Sequence, residues 1–273
     1  MYQTESLGNV FSSEISARPV LYSIHSLRQL RLKMRKKYTK LSVKRILSRS
    51  RLQLIMAISF PDSEYDQVCR ELENPQVEGW EFFTESHGVT IYRLYNEESG
   101  LYQYKIYGTL SDVTPDVCAE VYMDLEYRKV WDSYVKELYE KDMDGQKVIY
   151  WNVNFPFPLW NRDYVYLREL REMEQYGKRI WAVLAKSIEC SSFPEKSGVV
   201  RVDDYITYCA LTTDGKGGSK AFMKYYDNPK GMIPKWLINW GAKTGVPQFL
   251  TTMQAACRGY PDYKKSKSVQ KNV

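Results

Sequence analysis

The stretch YWNVNFPFPLWNRDYVYLR, residues 150–168, holds seven aromatic side chains in nineteen positions: Tyr150, Trp151, Phe155, Phe157, Trp160, Tyr164 and Tyr166. Pro156 and Pro158 interrupt what otherwise reads as two β-strands. Proline is disfavoured inside paired strands, so the break reads as a connection that can place Trp151 and Tyr164 on neighbouring strands. The pattern extends in both directions. Strand-like runs cover residues 147–155, 161–172, 178–188, 198–213 and 219–227, separated by the turn signals DMDG, QYG and DGKGGS. Upstream, WEFFTES and VTIYRLY flank HG as a hairpin, and SGLYQYKIYGTL alternates with Tyr102, Tyr104 and Ile106 on one face.

Helical spacing appears at three places. Tyr65, Val68, Cys69 and Leu72 recur through SEYDQVCRELEN, with Ser63 as the expected cap. TPDVCAEVYMDLEYRKVWDSYV, residues 114–135, reads as one helix capped by Thr114 with Pro115 in its first turn. The end of the chain carries two apolar stripes. Ile233, Trp236, Leu237 and Trp240 form one, and Phe249, Leu250, Met253 and Cys257 the other, with a break or kink at Gly245 and Pro247. Helix, strands, helices, a long strand run and a terminal helix make an α+β domain with one large antiparallel sheet. A curved sheet gripping a helix leaves a lined interior.

Composition narrows the function. Hydrophobic residues at 44% of 273 sustain a sizeable core, and 23 tyrosines outnumber 9 phenylalanines. Tyrosine suits cavity walls that are apolar in body and polar at the tip, but strands also favour it, and the two readings weigh equally here. The net charge of +6 is uneven: residues 1–55 hold twelve Lys/Arg against Glu5 and Glu14, a balance of +10, which leaves −4 for the rest. That remainder is no nucleic-acid binder by charge. Residues 1–55 admit three readings, namely a disordered extension, a basic membrane-surface helix or a mitochondrial targeting segment; the extension is the favoured one. The folded domain is then expected over 56–262, with a basic polar tail at 263–273.

Five cysteines, odd in number and without a CxxC pair, argue for reduced thiols in a cytoplasmic setting and against a disulfide framework or zinc site. A hydrolase with a histidine base would have to use His87 in the turn-like SHG. DGKGGSK lacks the GxxxxGK[ST] spacing of a phosphate loop and joins two strands. No apolar run approaches the roughly 20 residues of a bilayer span.

Arg128 and Asp132 stand four apart, where a helix brings them together. By spacing alone an ordinary surface ion pair is favoured, and such pairs contribute little. The alternative is an arginine held by its carboxylate inside a cavity, its planar donor fork ready for a phosphate. Asp132 would then offset part of the cost of burying the guanidinium.

VYMDLEYRKVWDSYVKELYE (121–140), FPFP (155–158), NRDYVYLR (161–168), SGVVRV (197–202) and IPKWLINWGAK (233–243) together resemble the START lipid-transfer family, with a likeness running from about Ser59 to Tyr260. The resemblance implies a helix-grip fold: a U-shaped antiparallel sheet closed over a lipid tunnel by a C-terminal helix. It implies a non-enzymatic carrier, without cofactor or catalytic residue, that moves one phosphatidylcholine between membranes. By that resemblance Arg128 binds the lipid phosphate and Asp132 pairs with it. Trp151, Tyr164 and Tyr205 cage the choline, and Tyr122 lies near the glycerol esters. Thr207 stands where better-known members carry a longer glutamine, which puts one polar contact in doubt. Trp236, Leu237 and Trp240 would dock the terminal helix at a transient membrane surface. The rival readings are a lipid sensor that regulates a partner such as an acyl-CoA thioesterase, and a domain of the same family with a different lipid ligand. A quaternary ammonium has no N–H to donate, and aromatic faces hold it through cation–π attraction of up to about 2 kcal/mol each when desolvated.

Overall fold

Side chains that alternate along one strand must be covered on both of its faces, and strand β7 (Lys178–Ser187) shows how this is done. Ile180, Ala182 and Leu184 point into one cluster and Val183 into another on the opposite side. The computed structural model describes residues 59–86, 88–143, 145–231, 233–234 and 245–271. Ten strands form one open sheet, in the order β1 (Glu81–Ser86), β2 (Val89–Asn96), β3 (Leu101–Leu110), β10 (Ser219–Asp227), β9 (Tyr205–Thr213), β7, β6 (Asn161–Gln175), β5 (Gln146–Val153) and β4 (Val135–Met143). Every pairing on this path is antiparallel, and the short β8 (Val199–Val202) adds alongside β6 in parallel.

Helix α1 (Asp62–Glu73) buries the expected stripe of Tyr65, Val68, Cys69 and Leu72 against Ile180, Leu184 and Phe222. It begins after Pro61, not at Ser63, and no side chain caps it. The segment read as one helix over 114–135 is two: α2 (Pro115–Met123) and α3 (Leu125–Trp131). Asp124 makes the break. Its extended backbone ends α2, and its carboxylate accepts the Tyr127 N–H at 2.8 Å to start α3. The chain leaves helix at Asp132, and residues 135–143 run on as edge strand β4, charged on its outer positions. The run at 198–213 likewise divides, at Asp203 and Asp204, into β8 and β9.

Helix α4 (Val246–Lys271) carries Pro247 in its first turn, where a missing N–H costs no hydrogen bond. It continues through Pro261 and into the basic residues after Asp262. Its Met253, Ala256, Cys257 and Tyr260 pack with α2 and with Val183, Cys209 and Leu211 on the sheet face opposite α1. The distal part is fastened to the helix pair. Tyr127 Oη donates to the Ala256 carbonyl at 2.9 Å, Tyr260 Oη to Asp124 at 3.0 Å, and Lys264 to Glu120 at 2.6 Å. Cys118 and Cys257 Sγ lie 4.0 Å apart in the same seam. Among the described residues no helix is long and apolar enough to cross a membrane.

Candidate functional site

Between the concave sheet face and the first turns of α4 lies a cavity of about 430 Å³. Val89, Ile91 and Ile106 from β2 and β3, with Leu211 and Met223, give it an apolar region, and Phe249, Leu250 and Met253 of α4 close it. Its polar groups include Arg128, Tyr122, Tyr164, Tyr205, Tyr225 and Asp227. Five thiols are free among the described residues. Cys209 reaches this cavity, but burial pushes its thiol up to about 12, so it stays protonated and unreactive at neutral pH. Among the described residues no His/Cys/Asp/Glu group could hold a metal ion.

Arg128 comes from the last turn of α3 and Asp132 from the residue that ends it. Nε donates to Asp132 Oδ2 at 3.0 Å, while Oδ1 accepts the Tyr134 N–H at 3.0 Å. Their side chains are only 8% and 4% exposed, which rules out the surface ion pair that spacing alone favours. Burial is the largest influence and works against the guanidinium charge, but the Asp132 carboxylate acting together with Tyr166, Tyr122 and Tyr205 holds the arginine pKa above its usual value. Nε is the one nitrogen of this guanidinium that hydrogen-bonds a described residue, so its Nη groups remain available to a ligand. The guanidinium lies 4.5 Å from the Trp151 ring centre and 5.6 Å from that of Phe249.

Trp151 and Tyr164 are direct partners in the β5–β6 register, their rings 5.1 Å apart. The aromatic wall continues from Tyr164 to Tyr205 (5.2 Å, 70°) and from Tyr205 to Tyr225 (6.1 Å, 70°). Burial lifts the hydroxyls of Tyr122, Tyr164 and Tyr205 above the ordinary tyrosine range, so they act as neutral donors. Thr207 is 2% exposed, lines the cavity, and its Oγ1 has no hydrogen-bond partner among the described residues. The Trp151 Nε1 is buried and unpartnered in the same way.

The six cavity residues named from the sequence thus meet in one place, and Asp132 holds Arg128 from behind. Tyr225 and Asp227 were missed. Asp227 closes the last strand, and its Oδ2 accepts the Tyr164 hydroxyl at 2.8 Å. The only sequence signal for them is an ordinary strand ending in a carboxylate. Trp236, Leu237 and Trp240 lie outside the described residues. The aromatic connection between β5 and β6 divides by role: Phe155 lines the cavity and stacks on Arg162, whereas Phe157 is 98% and Trp160 64% exposed. Arg162 donates to the carbonyls of Trp160, Pro229 and Lys230 and so ties this connection to the chain after β10.

The START domain family profile matches residues 63–262. The phosphatidylcholine transfer protein of Rattus norvegicus is 53% identical over 206 residues, which is 75% of this chain and 96% of that protein. The protein of the same name from Homo sapiens is 49% identical over 208 residues, 76% of this chain and 97% of that one. Among solved structures, human STARD10 superposes with a TM-score of 0.67 at 25% identity, covering 77% of this chain and 84% of that chain. An open antiparallel sheet, a C-terminal helix closing its concave face, and this likeness along the whole domain lead to one conclusion: the chain belongs to the START domain family.

Proposed function

We propose that the protein is a carrier that encloses one phosphatidylcholine and moves it between membranes without altering its covalent bonds. The observation that carries this reading is the buried Arg128–Asp132 pair, with Nη groups that bond no described residue, beside the Trp151, Tyr164 and Tyr205 rings in a cavity whose lining is mostly apolar. A phosphodiester would engage the Nη fork and a quaternary ammonium the ring faces. The apolar region would replace the bilayer around the acyl chains, at about 0.8 kcal/mol per buried methylene. Tyr122 and Thr207 supply hydroxyls toward the glycerol ester level. The relatives named as phosphatidylcholine transfer proteins support the same headgroup.

Transient contact with a membrane fits the exposed Phe157 and Trp160, which project from the connection whose Asn154, Phe155 and Pro156 line the cavity. Aromatic side chains of this kind partition to the headgroup level of a bilayer. Replacing both with serine should weaken vesicle pelleting several-fold while leaving the bound lipid in place. Delivery to a partner protein, an acyl-CoA thioesterase by the family resemblance, would use the same loaded cavity, and a pulldown with and without lipid separates that use from free carriage. The test of the carrier reading is mass spectrometry of lipid co-purified with the protein, followed by transfer of labelled lipid between vesicles. Phosphatidylcholine should dominate and be recovered intact. Equal transfer of phosphatidylcholine, phosphatidylethanolamine and phosphatidylserine would overturn the headgroup assignment.

A further inference from the structure

A carboxylate beside an aromatic cage needs an explanation, because aromatic faces alone carry no net charge. Asp227 lines the cavity and is fixed by the Tyr164 hydroxyl, which donates to Oδ2 at 2.8 Å. The approach is possible because β7 stops pairing with β6 at Tyr166 and Ser187, so Tyr164 lies past the end of β7 and reaches across to β10. Tyr225, on the same strand as Asp227, also steadies its charged form, while burial opposes it. Among the described residues no lysine or arginine forms an ion pair with Asp227. The nearest positive influence is Arg162, whose guanidinium is engaged by three backbone carbonyls; Asp204 acts in the opposite sense. Arg128 is already matched by Asp132.

We propose that Asp227 is the counter-ion of the lipid's quaternary ammonium, so that the zwitterionic headgroup is read at both ends: phosphate by Arg128 and ammonium charge by Asp227. The Tyr164 hydroxyl occupies one of the carboxylate's acceptor positions. A primary ammonium must find acceptors for its N–H groups, whereas a trimethylated one needs only nearby negative charge and ring faces. A tyrosine-bound carboxylate therefore suits choline better than ethanolamine.

The inference rests on the carrier reading, and its test couples a charge on the ligand to a charge on the protein. Phosphatidylcholine is compared with its 3,3-dimethylbutyl analogue, in which carbon replaces the nitrogen and the shape is kept. Dissociation constants are measured by vesicle competition for the wild-type protein and for Asp227→Asn. The wild-type protein should prefer the choline lipid, and Asp227→Asn should cut that preference about tenfold, a modest share of one charge pair at a partly buried site. An unchanged preference, or equal weakening of both ligands, would overturn the assignment and leave Asp227 a support for Tyr164. Asp227→Ser serves the same comparison if the asparagine variant does not fold. Failure of the wild-type protein to bind either lipid would remove the carrier reading, and this inference with it.

Discussion

Replacing Asp132 with asparagine isolates what the carboxylate charge does, because the amide keeps the shape and can still accept the Tyr134 N–H. In the empty protein it strands a guanidinium whose side chain is 8% exposed and whose other neighbours are aromatic rings. Removing one partner of a buried ion pair costs about 3–5 kcal/mol. For a domain of this size, 1 kcal/mol moves Tm by about 2–4 °C, so the empty variant should melt roughly 6–20 °C below the wild-type protein. A lipid phosphate returns a negative charge to the Nη edge, so the deficit of the loaded variant should be at most about half as large. Delipidated and phosphatidylcholine-loaded samples of both proteins are melted in parallel by near-ultraviolet circular dichroism. A drop of the same size with and without lipid would refute the reasoning, since Arg128 would then not face the bound phosphate.

Arg128→Lys keeps the charge but loses the fork, and should weaken binding of phosphatidylcholine and phosphatidylethanolamine by the same factor, about tenfold or more in vesicle transfer. Trp151→Ala should instead narrow the preference between those two lipids by about tenfold, read in the same assay with circular dichroism unchanged. Burial raises the Asp227 carboxyl above its ordinary 3.8, so the folded empty protein holds this proton more tightly than the unfolded chain. That contribution to stability is fully present below the ordinary value and is lost as pH rises through the raised one. The Tm difference between wild-type protein and Asp227→Asn should therefore move in favour of the wild-type protein on acidification, and a difference independent of pH would count against it.

Where a few neighbouring residues determine a feature, the sequence discloses it. Proline at 156 and 158 marks the connection that puts Trp151 opposite Tyr164, and the α1 stripe follows from spacing alone. Edge strand β4 escaped notice because VKELYEKDM faces solvent on too many positions for an apolar alternation to appear. Asp124 escaped as a helix break because its effect depends on a single side-chain hydrogen bond to Tyr127. Spacing alone made the Arg128–Asp132 pair a surface one, and only the family resemblance placed it inside a cavity, because burial is not written in a four-residue interval. Asp227 was invisible because its meaning comes from Tyr164, 63 positions earlier, and from where β7 happens to end. Burial of the Arg128–Asp132 pair likewise depends on Trp151 and Phe249, which arrive from β5 and α4.

The uneven fastening of α4 gives the helix the mechanics of a lever with its fulcrum away from the load. Among the described residues its bonds to α2 and α3 fall at or beyond Ala256, and Gln254 donates to the Ser111 carbonyl just before α2 at 2.8 Å, whereas the side chains over the cavity are Phe249, Leu250 and Met253. Seven residues separate Phe249 from Ala256, an arm of about 10 Å, so a tilt of about 20° at the fixed end lifts Phe249 by about 4 Å with every backbone hydrogen bond of the helix kept. Admission of a ligand then requires no melting of the helix and no breach of the seam at Cys118 and Cys257. Amide exchange would register this as two zones in one continuous helix, with slow protons past Ala256 whatever the occupancy, and proximal ones whose protection rises when the cavity is filled.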